Sequence, residues 1–325
     1  MRVLVGDIGG TKTGLAVAEV AGDAVRLSHA ARYPSRDYGD LTALVRRYLD
    51  DTGVQCDAGS FAVAGPVVDG RSRTTNLPWS LDAAELAQGL GFQQAFLLND
   101  LEAVAWGVPA LAPDDLAEIQ AGEPGGVGNA CVVAAGTGLG EAGLFWDGQC
   151  HHAFATEGGH TDFAPADERE FALLGHLQQR FGRVSWERVV SGMGIANVYD
   201  FLVAWHRAEE HPPAVAAALA GNGDVGAAVA QCAAEGLHPC TEAMELFARL
   251  YGREAGNMAL KLLALGGVYL GGGIAPKNLD LLRAGGFLEG FLDKGRMRGL
   301  MERMPVQVIL SQQVPLLGAA RFVGR

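Results

Sequence analysis

The chain has 325 residues, long enough for two domains that each bury a core of their own. Hydrophobic residues make up 49% and charged residues 19%, which excludes a disordered chain. Lys+Arg 25 against Asp+Glu 37 gives a net charge of −12, which argues against a general nucleic-acid or anionic-membrane surface.

Residues 2–5 read as a short buried strand. The glycine-rich turn Gly6-Asp7-Ile8-Gly9-Gly10-Thr11-Lys12-Thr13-Gly14 follows, and residues 15–20 return as a second strand. Residues 41–51 carry helical spacing, and 61–66 are a strand running into a turn. A helix over 81–89 is expected behind a Ser80 cap. Residues 96–98 are a buried strand ending at Asn99-Asp100, and 101–106 look helical. The stretch 111–128, with Pro113, Pro124 and several glycines, marks a domain boundary near its start. The opening design then recurs. Residues 129–135 are a strand, Gly136-Thr137-Gly138-Leu139-Gly140 is the turn, 142–146 is the return strand, and Asp147-Gly148 turns the chain again. Residues 168–250 form a helical insertion. Residues 267–270 are a strand ending in Gly271-Gly272-Gly273, and 306–310 then 316–323 read as strand and helix. Such alternation predicts α/β layering.

Glycine is the compositional outlier, 46 residues with only 13 prolines and no collagen period, about twice the usual ~7%. It signals tight turns and close backbone approaches. Five dispersed cysteines (Cys56, Cys131, Cys150, Cys232, Cys240) contain no C-x-x-C pair, which speaks against a disulfide framework or a zinc knuckle. Asp7 interrupts the N terminus before any signal-peptide core, and Lys261 with Gly266-Gly267 breaks the longest apolar run, 258–275. The expected compartment is the cytoplasm.

Residues 138–143 match G-x-G-x-x-G, but strand plus turn follows where a dinucleotide site needs a helix. Two Gly/Thr-rich hairpin turns, with a third glycine run after a strand, instead suggest backbone cradles for phosphate oxygens. Asp7 in the first turn can hold Mg²⁺, directly or through water, or simply cap the turn. Asp100 is a candidate general base with Asn99 orienting a hydroxyl, or the pair is a helix cap. Glu157-Gly158-Gly159-His160 aims a carboxylate and an imidazole at one small polar ligand. His151 and His152 lie nearby, but no recognised metal-ligand spacing joins them. Glu187, in Ser185-Trp186-Glu187-Arg188 before Ser191-Gly192, adds another acid.

Together these segments resemble the bacterial glucokinases, the non-ROK family related to the hexokinase/actin-like ATPase superfamily. The motifs are residues 6–11, 98–103, 134–140, 157–160, 185–188 with 191–192, and 271–277, in the family's order across nearly the whole chain. The resemblance implies a two-domain actin-like ATPase (ribonuclease H-like) fold. A small α/β domain (1–110 with 304–325) and a larger α+β domain (111–303) would flank a sugar/ATP cleft. It implies transfer of the γ-phosphoryl group of ATP to the 6-hydroxyl of glucose, with Mg²⁺, in a cytoplasmic homodimer that binds neither nucleic acid nor membrane.

Carried over by position, Asn99, Asp100, Glu157, His160 and Glu187 would bind the sugar, with Asp100 as base. Gly6, Asp7, Ile8, Gly9, Gly10 and Thr11 would hold phosphates, Gly136, Thr137 and Gly138 would form the second phosphate turn, and Gly271, Gly272 and Gly273 would lie near the adenosine. Lys12 departs from the family's frequent Asn, and Ala134-Ala135 stand where actin-like ATPases carry an acid. The cysteine-rich zinc motif of the ROK kinases is absent. A kinase for another hexose, or a non-catalytic sugar sensor on the same fold, are the alternatives.

Overall fold

The computed structural model describes residues 1–21, 24–74, 77–221 and 223–324, so residue 222 of the expected helical insertion lies outside it. Two compact units emerge, one comprising 1–116, 142–155 and 310–325, the other 117–141 and 156–309. The first is built from three separate stretches of chain and the second from two.

The first unit opens with β1 (Arg2–Ile8) and β2 (Lys12–Ala21), the hairpin read from the sequence, and continues into β3 (Ala24–Pro34). Helix α1 (Leu41–Thr52) starts where the Asp40 carboxylate accepts from the Ala43 N–H (2.7 Å) and stops at Gly53, whose φ of 65 ends the helix. Strand β4 (Ala58–Val63) is followed by a small three-stranded sheet of β5 (Val67–Val68), β6 (Arg71–Arg73) and β7 (Ser80–Asp82), then by α2 (Ala83–Leu90). Ser80 does not cap this helix. It lies in β7, three residues before the helix start, and Asp82, directly before the first turn, accepts from the N–H groups of Ala84 (2.9 Å) and Glu85 (3.2 Å) instead. Next come β8 (Gln94–Asn99) and α3 (Asp100–Gly107).

The main sheet of this unit has the order β3-β2-β1-β4-β8, with β1, β4 and β8 mutually parallel. Alternation decides its two faces. Leu4, Leu15, Val17, Phe61, Val63 and Leu97 pack with Leu41, Leu44 and Leu86 of α1 and α2. Val3, Val5, Ala16, Ala18, Ala62 and Leu98 pack on the other side with Ala103 of α3 and with the C-terminal Leu316, Ala319 and Ala320.

The second sheet uses β9 (Leu116–Gln120), β10 (Ala130–Ala135), β11 (Leu139–Trp146), β12 (His151–Thr156), β13 (Gly267–Gly271) and β14 (Val306–Ile309), in the order β12-β11-β10-β13-β14-β9. The second glycine turn is shorter than expected. Gly136 N–H donates to the Gly138 carbonyl (2.8 Å), and Leu139 and Gly140 already belong to β11. A strand, not a helix, follows the G-x-G-x-x-G match, which disposes of the dinucleotide reading.

The helices of the second unit are α4 (Glu168–Phe181), α5 (Gly192–His206), α6 (Pro213–Ala220), α7 (Val225–Ala234), α8 (Cys240–Leu262), α9 (Leu279–Arg283), α10 (Gly286–Leu292) and α11 (Arg298–Met301). The 23-residue α8 is the spine: Tyr251 donates its hydroxyl to the Val133 carbonyl (2.8 Å), and buried Arg253 pairs with buried Glu170 of α4 at 2.9 Å. Helix α12 (Val314–Val323) closes the chain against the first sheet. No helix among the described residues is long and apolar enough to cross a membrane.

Candidate active site

In the first unit the hairpin turn is held from beneath. Gly9 N–H donates to the Lys12 carbonyl (3.1 Å), Ser35 donates from Oγ to the Gly9 carbonyl (2.7 Å), and Ser35 N–H donates to the Thr11 carbonyl (3.0 Å). Buried Thr13 reaches Ser35 Oγ at 3.0 Å. A Cβ at Gly9 would sit 2.8 Å from the Lys12 oxygen, so the backbone can turn this sharply only without one. Asp7 lies at the end of β1, where burial pushes its carboxyl above the usual range and the Arg32 guanidinium offsets this in part. A hard cation fits such a donor: Mg²⁺ keeps most of its waters and needs one or two carboxylates beside phosphates, and an added positive charge would relieve the desolvated acid.

Asn99 and Asp100 stand where β8 passes into α3. Asn99 Oδ1 accepts from the N–H groups of Leu101 (2.9 Å) and Glu102 (3.2 Å), and its Nδ2 donates to the Gly65 carbonyl (3.1 Å). Its amide oxygen is therefore the helix cap, one of the two roles open from the sequence. Asp100 is the first helical residue, with Oδ1 accepting from Leu101 N–H (3.0 Å), at a helix end that favours negative charge.

In the second unit three of the expected sugar ligands converge. His160 Nε2 lies 3.8 Å from Glu157 Oε2, and His160 Nδ1 lies 4.0 Å from Glu187 Oε1. The other Glu187 oxygen is anchored on the glycine turn, accepting from Leu139 N–H (3.0 Å). A Cβ on Gly138 would collide with that same oxygen, so the glycine is needed for the carboxylate to dock. Ser191 caps α5 by accepting from Gly194 N–H (2.9 Å) and donates to the Glu187 carbonyl (2.7 Å). Gly192 N–H donates to the Gly136 carbonyl (2.8 Å), so the α5 start and the glycine turn are one assembly.

That assembly borders a cavity of ≈ 650 Å³ within the second unit, a volume suited to a nucleoside. Gly136, Thr137 and Gly273 line it, together with Met193, Ile195 and Lys277. Gly271 and Gly272 do not. Gly271 ends β13 opposite Ala134, and Gly272 (φ 77) lies against the Ala135 backbone, so both shape the turn from behind. Asp224, Gly226, Ala227 and Ala230 of the α7 region also line the cavity and were not singled out from the sequence. Asp224 was recognisable only as a helix cap, accepting from Ala227 N–H (2.9 Å).

The fold is that of the actin-like ATPases, in the class of hexose kinases, and the chain carries on it two tight glycine turns, a nucleoside-sized cavity and a cluster of two carboxylates with a histidine. The family model described as Glucokinase matches residues 4–325. A glucokinase of Nostoc punctiforme is 42% identical over 337 residues, covering 99% of each chain. A Salmonella arizonae glucokinase is 37% identical, covering 97% of this chain and 95% of its own. The crystal structure of a glucokinase from an Antarctic psychrotroph superposes with a TM-score of 0.88 at 31% identity, covering 99% of this chain and 98% of that one. A ROK family glucokinase of Streptomyces griseus, solved with glucose and AMPPNP, shares the fold at a TM-score of 0.64 and 20% identity. The chain belongs to the glucokinase family, whose activity is the phosphorylation of glucose by ATP.

Proposed function

We propose that the chain transfers the γ-phosphoryl group of ATP to O6 of D-glucose, with Asp100 as general base. The Asp100 carboxylate takes the 6-hydroxyl proton, O6 bonds to the γ-phosphorus, and the bond from that phosphorus to the bridging oxygen breaks, releasing ADP. Phosphoryl transfer asks mainly for positioning and charge stabilisation, so a carboxylate accepting the proton late is sufficient. Glu157, His160 and Glu187 hold sugar hydroxyls, and Asn99 orients the base through its cap of α3.

Turn residues 6–11 and 136–138 cradle the phosphates. Gly9 and Gly136 spend their N–H groups on closing the turns, and other N–H groups of the two turns would donate to phosphate oxygens. The adenosine occupies the cavity between Met193, Ile195 and the segment from Gly273 to Lys277. Asp7 would hold Mg²⁺, which neutralises charge on the β- and γ-phosphates. The family pattern further suggests a cytoplasmic homodimer acting at the entry of sugar into glycolysis.

The observation that carries this reading is the anchoring of Glu187 on Leu139 N–H. On this reading it ties a sugar ligand to the residue that directly follows the second phosphate turn, an arrangement a passive sugar binder has no need of. ADP release measured across a panel of hexoses, for the native chain and Asp100→Asn, tests it. Glucose should be the preferred acceptor, and the variant should lose at least ~10²-fold in kcat with sugar binding retained. Near-normal kcat in the variant removes Asp100 as base. Preference for another hexose moves the substrate, and no sugar-dependent ADP release leaves a sensor.

A further inference from the structure

The turn between β11 and β12 gathers three metal-ligating side chains that the kinase reaction does not use. Asp147 Oδ1 accepts from the N–H groups of Gln149 (2.7 Å) and Cys150 (2.8 Å), which fixes the carboxylate across the turn. Its second oxygen, Oδ2, lies 2.7 Å from His152 Nε2 and 3.7 Å from Cys150 Sγ, and Sγ lies 3.5 Å from the same Nε2. Gly148, at φ 101, lets the chain turn tightly enough to bring the three together. The His152 ring stands edge-on to Trp106 at 6.4 Å between ring centroids, which restricts its orientation.

The distances fit a tetrahedral ion. With Zn–S of about 2.3 Å and Zn–N and Zn–O of about 2.0–2.1 Å, tetrahedral angles put sulfur about 3.5 Å from each of the other two ligands and nitrogen about 3.3 Å from oxygen. Both sulfur edges, 3.5 and 3.7 Å, already have this length. Only the nitrogen–oxygen edge, at 2.7 Å, must open, by about 0.6 Å on the same bond lengths, which a small change in His152 χ angles provides. Thiolate and imidazole together select a borderline-soft cation over Mg²⁺ or Ca²⁺.

We propose that Asp147, Cys150 and His152 form a binding site for a thiophilic divalent cation, Zn²⁺ foremost, with a fourth position open to water. Binding replaces the Cys150 thiol proton, which leaves to solvent, and ties the tip of the hairpin together. A second three-residue cluster among the described residues, His206, His238 and Glu242, offers no thiolate, and its carboxylate already shares its charge with the Arg169 guanidinium through Oε1.

Titrating the nucleotide-free chain with Co²⁺, a spectroscopic stand-in for Zn²⁺, tests the site. One ion per chain should bind with a sulfur-to-cobalt charge-transfer band that Zn²⁺ abolishes and Cys150→Ser lacks. His152→Ala and Asp147→Asn should weaken binding by at least ~10-fold, the lower end of the effect of disturbing even outer ligand partners. Zn²⁺ should also slow alkylation of the Cys150 peptide in the native chain and not in His152→Ala. Absence of the band in the native chain, its survival in Cys150→Ser, or unchanged affinity in both other variants overturns the proposal. All three side chains are exposed, so the folded state of each variant is checked simply by its unfolding curve in chelator.

Discussion

Glu141 shows how a single residue ties the core to the site. It is buried in β11 beside the buried Glu254 of α8, and among the described residues neither of its oxygens has a hydrogen-bond partner within ordinary distance. Its backbone carbonyl accepts from Thr156 Oγ1 (2.9 Å), which in turn accepts from Gly158 N–H (3.2 Å), and a Cβ at Gly158 would strike the Glu141 carboxyl. The acid therefore lies directly under the loop that carries Glu157 and His160. Burial, then the like charge of Glu254, raises its protonation range, with Lys261 opposing. A carboxyl raised above its ordinary 4.5 contributes stability that is complete below that value and is lost as pH climbs through the raised value. The isosteric Glu141→Gln removes that loss. The difference in Tm between variant and native chain should widen from about pH 5 to about pH 8, and a difference that stays flat across this span contradicts the buried acid pair.

Gly138 offers a second test at the same scale. Gly138→Ala places a methyl where Glu187 Oε2 sits, so the carboxylate must leave Leu139 N–H. Loss of one charge-assisted hydrogen bond, about 1.5–3 kcal/mol, predicts a rise of at least ~10-fold in KM for glucose, read directly from saturation curves. An unchanged KM would take Glu187 out of sugar binding.

Among the elements, α3 best separates support from chemistry. Asn99 Oδ1 is its cap, so Asn99→Ala should cost about 1 kcal/mol, or a fall of about 2–4 °C in Tm for a domain of this size. Asn99→Ser keeps a capping oxygen and should restore most of that Tm. A thermally silent Asn99→Ala would mean that the cap is not what Asn99 supplies. The boundaries of α1, α3, β10 and α12 were legible to within a few residues, because the apolar pattern is clear in each and capping side chains flank α1 and α3. Strand β3 was not. It is an edge strand with Arg26 and Arg32 exposed along it and a bulge in the register of its partner between Leu15 and Val17, so its alternation is blurred. Strands β5, β6 and β7, two or three residues each, are too short to carry a period. β12 was missed as well, having three of its six residues exposed and the others half-buried.

At the scale of the molecule, the chain order matters most for the first unit. Helix α12 covers the face of the first sheet formed by Val3, Val5, Ala16 and Ala18, yet it comes last in the sequence. Gly318 lets it approach α3 so closely that a Cβ would meet the Ala103 carbonyl. A chain ending at Ile309 lacks Leu316, Ala319 and Ala320 and leaves that apolar face to water, at about 25 cal/mol for each Å² uncovered. Limited proteolysis of such a chain should cut first within 1–110 while fragments from the α4–α8 region persist. Equal resistance of both parts would show that α12 is dispensable.

The sequence by itself determined the local chemistry: two glycine turns after buried strands, a carboxylate at a strand end in Asp100, and Glu157 and His160 brought within reach of each other by two glycines. These depend on backbone conformations and spacings of a few residues, which neighbouring side chains alone dictate. Only the tertiary structure decided that Glu187 docks on Leu139 N–H, 48 residues away in sequence, and that Asp224 borders the same cavity as Gly136 and Gly273. It also gave the glycines their separate tasks. Gly138 makes room for a carboxylate and Gly272 for the Ala135 backbone, while Gly273 faces the cavity. Long-range contacts of this kind are set by how helices and sheets pack, and packing is a property of surfaces that no single stretch of sequence contains.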